Sequence, residues 1–231
     1  MNIIENKNSI IRLFNVSKRF GQHYALKNIT LDVKPGEFIF ITGASGAGKS
    51  TLMKLLYLAE TASEGQILVD GMNLARISRS KVPFLRRRFG VIFQDFKLIP
   101  QRTVYENVAL VLEAANEKQS LIRQKVTRIL KTTGMDKKMN VLPPSLSGGE
   151  QQRVAVARAL VGDPAIILAD EPTCSLDVES AHAILNFLLK YHSGGTTILI
   201  ATHNLQIIST AVRGRCISLV DGVLTGTATL L

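Results

Sequence analysis

Nine consecutive residues, Gly43 to Thr51, combine three glycines with a lysine and three hydroxyl side chains. They read Gly-Ala-Ser-Gly-Ala-Gly-Lys-Ser-Thr, the G-x-x-x-x-G-K-[ST] pattern of a phosphate-binding loop (P-loop). The glycines permit a tight turn in which backbone N–H groups converge on a β-phosphate. Lys49 would then reach the β- and γ-phosphates, Ser50 would bind Mg²⁺, and the start of the next helix would add partial positive charge. The alternative is a glycine-rich turn before an amphipathic helix, which would not require the Lys-Ser-Thr run.

Two acidic residues, Asp170 and Glu171, follow the apolar run Ala165 to Ala169. Such a run predicts a strand buried on both faces of a parallel sheet, and ligands of open α/β sheets lie at the carboxyl ends of strands. Asp170 could hold Mg²⁺ through water, while Glu171 could orient and deprotonate an attacking water molecule. The alternative is that the two acids only begin a solvated loop.

Gln94 and His203 also follow predicted strands, Phe89 to Phe93 and Thr197 to Ala201. Gln94 could meet the γ-phosphate through Mg²⁺ or water, and His203 could donate a hydrogen bond to a phosphate oxygen. A single glutamine or histidine at a strand end is more often structural. Their common position at strand ends favours a functional interpretation.

The stretch Leu146 to Arg153 reads Leu-Ser-Gly-Gly-Glu-Gln-Gln-Arg. Ser147 and Glu150 have capping-box spacing, so a helix is predicted to start there with its first amides left open by Gly148 and Gly149. That helix start is a second candidate anion site. The P-loop and this helix start need not face each other within one molecule. A head-to-tail dimer would use both sites, because Ser147 of one copy would close on the γ-phosphate bound by the other copy.

The elements that must position these residues can be predicted from periodicity and turn residues. A second capping box at Thr103 and Glu106 predicts a helix through Ala115. Between the first two strands lie Phe20 and Tyr24, either of which could stack on an adenine ring or pack as a loop aromatic. Lys81 to Arg88 is predicted to be a basic connector. The other predicted elements are strands at Ile11–Val16, Ile29–Val33, Phe38–Ile41, Gly65–Asp70 and Cys216–Val220 and a helix at Val178–Tyr191.

Net charge, cysteine content and the length of the apolar stretches limit the classes of protein to which this chain can belong. The chain has 231 residues, a net charge of +10 and a pI near 9.8, which would suit nucleic acid, an anionic membrane or polyphosphate ligands. The basic residues are dispersed and aromatics are few, which argues against a specific nucleic-acid surface. The two cysteines suggest neither a disulfide framework nor a zinc site. With no apolar stretch near the roughly 20 residues of a spanning helix, we expect a cytoplasmic chain that reaches a membrane through a partner.

Taken together, these motifs resemble the nucleotide-binding subunit of ABC ATPases. The resemblance implies ATP and Mg²⁺ as cofactors and an α/β fold: a RecA-like P-loop NTPase core, an antiparallel β subdomain and an inserted α-helical subdomain. It implies a single domain over residues 1–231, with the core and β subdomain at 1–94 and 162–231 and the helical subdomain at 95–161. It implies Gln94 as the Q-loop residue, Leu146–Arg153 as the signature, Ser175–Asp177 as the D-loop and His203 as the switch histidine. The implied catalytic residues are Glu171, His203 and Lys49, the metal ligands Ser50, Gln94 and Asp170, and the nucleotide-binding residues Phe20 (with Tyr24 second), Gly43, Ala44, Ser45, Gly46, Ala47, Gly48, Lys49, Ser50, Thr51, Gln94, Ser147, Gly148, Gly149 and Gln151.

The stretch Val82 to Val108 is similar to the bacterial cell-division ATPases of the FtsE family, whose membrane partner is FtsX. This resemblance implies an ATP-bound homodimer on the cytoplasmic face of the bacterial inner (plasma) membrane, signalling through an FtsX-like integral protein to control cell-wall hydrolysis. It also implies contact with a cytoskeletal division protein and no specific nucleic acid. Lipoprotein-releasing and macrolide-exporting ABC subunits share most of these motifs, and a soluble ABC protein that acts on DNA or ribosomes is a further alternative. The candidate partner groove is Leu98, Ile99, Tyr105 and Val108, and the departures from the family pattern are Cys174 and Asn204.

Overall fold

The computed structural model describes residues 9–174, 176–203 and 214–230. The chain divides into a first unit of residues 1–86 and 195–231 and a second unit of residues 87–194. In chain order the elements are β1 (Ile11–Phe20), β2 (His23–Val33), β3 (Phe38–Thr42), α1 (Lys49–Leu56), β4 (Glu64–Val69), β5 (Met72–Asn73), α2 (Val82–Arg86), β6 (Phe89–Ile92), α3 (Val104–Glu113), α4 (Gln119–Thr132), α5 (Gly148–Leu160), β7 (Ile166–Asp170), α6 (Val178–Ser193), β8 (Thr197–Ala201), β9 (Gly214–Val220) and β10 (Val223–Leu230). The predicted subdomain boundaries at residues 94 and 161 stay a prediction.

The first unit contains an antiparallel sheet in the order β2-β1-β4-β5. β1 lies between two partners, so that Ile11 pairs with Val33 on one side and with Val69 on the other. All three of these side chains are buried. The antiparallel β subdomain that the resemblance to ABC ATPases implies is therefore present.

The first unit also contains a second group of strands, β3, β8, β9 and β10, in which the P-loop strand β3 lies between β8 and β9. It pairs in parallel with β8 and with β9, and β10 adds to β9 in antiparallel orientation. All five residues of β3 are buried, as expected of a continuous apolar run flanked on both sides. The parallel register places the carboxyl ends of β3 and β8 at one edge, where Thr202 donates a backbone hydrogen bond to the carbonyl of Ile41.

The second unit pairs β6 with β7 in parallel, from Phe89 opposite Ile166 to Ile92 opposite Ala169. Helix α5 packs against α3, α4, α6 and β6. A Cβ on Gly90 of β6 would overlap the carbonyl oxygen of Ala159 in α5, so this glycine allows helix and strand to approach closely. The helical segment expected in the middle of the chain is thus built around α5.

Three local predictions differ from the structure. Phe20 and Tyr24 lie on strands rather than in a loop, because β1 and β2 extend to a two-residue turn at Gly21 and Gln22. The predicted basic connector contains the short helix α2, whose Leu85 is fully buried. Val108 is also fully buried, so it belongs to the core and not to a partner groove.

Candidate nucleotide site

The glycines of the P-loop have the backbone conformations that their sequence predicts. Gly43, Gly46 and Gly48 have φ angles of 147°, 81° and 104°, a region that L side chains rarely adopt. A Cβ on Gly43 would overlap the carbonyl oxygen of Leu219 in β9. On Gly48 it would lie 2.5 Å from the carbonyl oxygen of Ala25 in β2. Two of the glycines are therefore required by close backbone approach as well as by their dihedral angles.

Lys49 is the first residue of α1 and its side chain turns back into the loop. The Nζ atom donates hydrogen bonds to the carbonyl oxygens of Gly43 at 2.7 Å and Ala44 at 3.0 Å. Ser50 and Thr51 are half-buried in the same first turn. The ammonium group is thus held at the mouth of a loop that presents backbone N–H groups and a helix N-terminus, an arrangement suited to a polyphosphate. Of the remaining loop residues Ala44, Ser45 and Gly46 are exposed and Ala47 is buried.

Three further candidate residues, Phe20, Tyr24 and His203, lie in the first unit. Phe20 ends β1 and is 47% exposed, whereas Tyr24 on β2 is half-buried with the Arg19 guanidinium 5.7 Å from its ring centroid. His203 is exposed and follows β8 by two residues, at the edge where the P-loop leaves β3. Phe20 is therefore the more accessible of the two aromatic candidates.

In the second unit, Asp170 is the last residue of β7 and Gln94 follows β6 by two residues. Since Ile92 pairs with Ala169, both polar side chains emerge at the carboxyl edge of the same parallel pair. Carboxylate and amide oxygens are hard ligands of the kind that Mg²⁺ prefers, so the chemistry of Asp170 and Gln94 suits this ion, as does that of the Ser50 hydroxyl in the first unit.

Glu171 has a φ angle of 47°, which is uncommon for a residue with a side chain. The residue is only 8% exposed, and its carbonyl accepts a hydrogen bond from the N–H of Cys174 at 3.1 Å. Backbone strain of this kind persists where the surroundings impose it and is concentrated at functional sites. The carboxylate is thus held on a defined turn directly after β7.

Helix α5 begins with the predicted capping box. The N–H of Glu150 donates to the Ser147 hydroxyl at 3.3 Å, and the N–H of Ser147 donates to the Glu150 carboxylate at 3.1 Å. A hydrogen bond from Lys138, followed by the one from the Ser147 backbone, lowers the pKa of Glu150. Ser147 and Gly148 are exposed, and the Gln151 amide donates to the carbonyl of Leu146 at 3.2 Å. The helix therefore presents an ordered, accessible N-terminus.

These observations agree with comparisons to known proteins. The family model described as ABC transporter matches residues 26–174. The chain belongs to the ABC transporter family. It is 45% identical over 215 residues to the cell division ATP-binding protein FtsE of Streptococcus pneumoniae serotype 2, which covers 93% of each chain. It is 45% identical over 218 residues to FtsE of Escherichia coli K12, with 94% of this chain and 98% of the relative covered. The resemblance to the FtsE ATPases is confirmed.

Solved ABC cassettes share the fold. A dimeric structure of a post-hydrolysis state of the ATP-binding cassette MJ0796 bound to ADP and Pi superposes with a TM-score of 0.88 at 35% identity, covering 96% of this chain and 99% of that one. The cassette cbiO1 from Clostridium perfringens gives a TM-score of 0.85 at 30% identity, covering 96% and 88%. The predicted ABC-type α/β fold is thus confirmed.

Two of the family's motifs lie partly outside the described residues. In the D-loop, Ser175 is outside them, while Asp177 is the N-cap of α6 and accepts a hydrogen bond from the N–H of Ser180 at 2.8 Å. Asn204, which follows the switch histidine, is also outside. Within residues 9–174, 176–203 and 214–230, no helix has the length and hydropathy needed to cross a bilayer.

Sequence reasoning missed three polar residues that brace the ABC motifs. Gln152 is 1% exposed, and its side-chain amide donates to the carbonyl of Pro172, directly after Glu171. Asn107, fully buried in α3, and Arg158 in α5 both bond to the backbone after Gln94. A usable signal existed: Gln152 and Asn107 are polar residues at positions where helical periodicity predicts apolar ones.

Arg158 fixes the segment after the Q-loop residue Gln94. Its guanidinium donates to the carbonyl oxygens of Phe96 and Lys97, each at 2.6 Å. Those two residues have φ angles of 57° and 50°, so the backbone there is consecutively left-handed. Burial lowers the pKa of Arg158 from its ordinary value. The two carbonyl groups therefore supply the hydrogen bonds that a half-buried guanidinium needs.

Proposed function

We propose that this chain is the ATP-hydrolysing subunit of a bacterial cell-division ABC complex, in which ATP-driven closure of a homodimer acts on an FtsX-like integral membrane protein. The observation that carries this proposal is the 45% identity to FtsE proteins over more than nine tenths of the chain. It is supported by a phosphate loop of the expected geometry and by a signature helix whose N-terminus is capped and exposed.

Each motif has a chemical role in this proposal. The loop N–H groups and Lys49 bind the phosphates, and Phe20 stacks on the adenine ring. Glu171 accepts a proton from the attacking water, and His203 donates a hydrogen bond to a phosphate oxygen. Bound Mg²⁺ would neutralise phosphate charge, and Ser50, Gln94 and Asp170 would hold it.

The dimer follows from the second anion site. Ser147 and the amides of Gly148 and Gly149 stand at an exposed helix start, and a triphosphate bound by a second copy would satisfy them. Two solved structures of the cassette MJ0796, each with a TM-score of 0.88, are described as dimeric. A two-fold arrangement would make both nucleotide sites identical.

The membrane partner is proposed to dock on the segment after Gln94. Leu98, Ile99 and Tyr105 are half-buried, so each offers part of an apolar side chain to solvent. We expect the complex to lie on the cytoplasmic face of the bacterial plasma membrane through this partner. A cytoskeletal division protein is a further proposed contact.

The central experiment replaces Glu171 with glutamine, which removes the proton acceptor and keeps the side-chain shape. With saturating Mg-ATP the variant should run as a dimer in size exclusion with light scattering, and as a monomer without nucleotide. The matched control, Glu117→Gln at an exposed loop position, should turn ATP over like the parent. Adding Ser147→Arg to Glu171→Gln should abolish the dimer while ATP still binds. A Glu171→Gln chain that binds ATP and stays monomeric contradicts the proposed closure.

Purification of the native complex from membranes tests the biological assignment. Recovery of an FtsX-like integral protein supports it. Recovery of a lipoprotein-releasing or macrolide-exporting permease instead would reassign the complex, and strong, salt-sensitive nucleic-acid binding would favour the soluble ABC class.

A further inference from the structure

Lys18 is a lysine whose ammonium group is almost wholly enclosed. Its side chain is 10% exposed, and Nζ lies 2.8 Å from a carboxylate oxygen of Glu60 and 3.0 Å from the carbonyl oxygen of Thr61. The same Nζ lies 4.6 Å from the centroid of the Phe20 ring. A lysine is seldom buried to this extent, because its charge is strongly hydrated. An ion pair at the surface would not require this burial.

Strand geometry accounts for the contact between Lys18 and Phe20. Residues i and i+2 of a strand point to the same face, so the two side chains are neighbours on β1. Glu60 and Thr61 come from the segment between α1 and β4 and hold the ammonium from the other side. Phe20 nevertheless remains 47% exposed. The ammonium therefore covers one face of the ring, and the remaining exposure is available to a planar ligand.

The hairpin that carries Phe20 also lies against the phosphate loop. Lys18 pairs with Leu26 in the β1–β2 register. A Cβ on Gly48 would lie 2.9 Å from Leu26 Cδ2 and 2.5 Å from the carbonyl oxygen of Ala25. The hairpin and the P-loop are thus in direct contact, which puts the exposed aromatic ring on the strand pair next to the phosphate cradle.

We propose that Lys18 is a positioning residue for the nucleotide base. Clamped by Glu60 and Thr61, it fixes the orientation of the Phe20 ring, blocks one face, and draws π-electron density toward its charge. The opposite face is left as a preoriented surface for the electron-rich aminopurine ring of ATP. This inference rests on the proposed function, since it takes Phe20 to be the residue that stacks on adenine.

The test separates the base from the phosphates by comparing ATP with tripolyphosphate, which has no base. Lys18→Met removes the charge and keeps an apolar stem. It should weaken ATP binding about threefold to tenfold, in line with the strength of a desolvated cation–π contact. Tripolyphosphate affinity should not change. The matched control Lys34→Met removes one exposed positive charge of the same unit and should change neither affinity.

The sequence contains no tryptophan, so Phe20→Trp introduces a single reporter at the ring itself. Its emission should change when ATP binds and stay constant with tripolyphosphate. Adding Lys18→Met should reduce the ATP response and weaken the ATP affinity read from it. Glu60→Gln weakens the hold on the Lys18 ammonium without removing the charge, so it should give a smaller change in the same direction. This variant replaces Lys18→Met in the test if Lys18→Met does not fold.

Two results would overturn the role of Lys18 alone: an unchanged ATP affinity in both the Lys18→Met and Glu60→Gln variants, or an equal loss for ATP and tripolyphosphate, which would mark a general electrostatic effect. A tryptophan at position 20 that is silent while ATP binding is measured by equilibrium dialysis would remove Phe20 from the base site, and Lys18 with it. Dimer formation by the Glu171→Gln chain would still support the ATPase proposal in either case.

Discussion

Replacing Asn107 with aspartate exchanges one NH₂ group for an oxygen at a fully buried position. The Asn107 Oδ1 accepts a hydrogen bond from the N–H of Ile99 at 2.7 Å, and an aspartate oxygen can keep that bond. The Nδ2 donates to the carbonyl oxygens of Ile99 at 3.0 Å, Arg102 at 2.8 Å and Thr103 at 3.0 Å. The substitution therefore points a carboxylate oxygen at three carbonyl oxygens.

The cost can be worked from these contacts. Two N–H donors are lost, each worth about 1 to 1.5 kcal/mol net, and a negative charge is buried without a cationic partner. We expect a loss of at least about 3 kcal/mol in the free energy of unfolding at pH 8. For a chain of this length that corresponds to a fall in Tm of roughly 6 to 12 °C.

The effect should depend on pH in a defined direction. Burial and the facing carbonyl groups raise the pKa of the introduced carboxyl group in the folded state. Folding then favours the protonated form, so the loss of stability should be smallest at low pH and grow as pH rises through that raised pKa. Thermal unfolding followed by circular dichroism at pH 5 and pH 8 measures this difference.

Asn116→Asp is the matched control, because it makes the same chemical change at an exposed asparagine with a φ angle of 56°. Its Tm should stay close to that of the parent at both pH values. If Asn107→Asp lowers Tm by less than about 2 °C at pH 8, or no more than the control does, the hydrogen bonds of Asn107 do not stabilise the segment after Gln94 and the reasoning is wrong.

Two further predictions concern α5 and its neighbours. Gly90→Ala should lower the free energy of unfolding by about 1 to 3 kcal/mol, because its Cβ would overlap the Ala159 carbonyl, and urea denaturation should show a lower midpoint. The control Gly226→Ala has open space around its Cβ and should be near neutral. Equal midpoints for the two variants would contradict the close approach of β6 and α5. Gln152→Met removes the donor to the carbonyl that follows Glu171, so kcat should fall about tenfold with KM for ATP unchanged, which is about 1.4 kcal/mol of transition-state stabilisation. A rise in KM at constant kcat would show that Gln152 acts on ATP binding instead.

What the sequence could predict was local. The capping boxes at Thr103 and Ser147 each depend on residues three apart, and both form as their spacing requires. The left-handed glycines of the P-loop were likewise predictable, because glycine populates that region at little cost. The strand that ends in Asp170 could be recognised from its uninterrupted apolar run.

What the sequence could not predict depends on distant partners. The contact of Arg158 with Phe96 and Lys97 joins residues about 60 positions apart. It also requires a left-handed backbone at two consecutive residues, neither of which is a glycine, so the sequence gives no sign of this conformation. The length of β1 was underestimated since its end, including Lys18 and Phe20, carries charged and exposed side chains that weaken the alternation. Pairing with β2 therefore determines the strand conformation of the last residues of β1.

Helix α5 connects three motif segments of the second unit through side chains of one rigid element. Its N-cap is the signature serine, Ser147; one turn later Gln152 donates to the backbone after Glu171; and near its end Arg158 donates to the backbone after Gln94. A helix of this length cannot bend appreciably without breaking its own hydrogen bonds. A displacement of the segment after Gln94 must therefore either move α5, and with it Ser147, or break the two hydrogen bonds that the half-buried Arg158 guanidinium donates, and hydrogen bonds from a charged group are among the stronger ones. This physical linkage gives a partner that pushes on the segment after Gln94 a direct mechanical route to the end of the helix that would meet a second nucleotide.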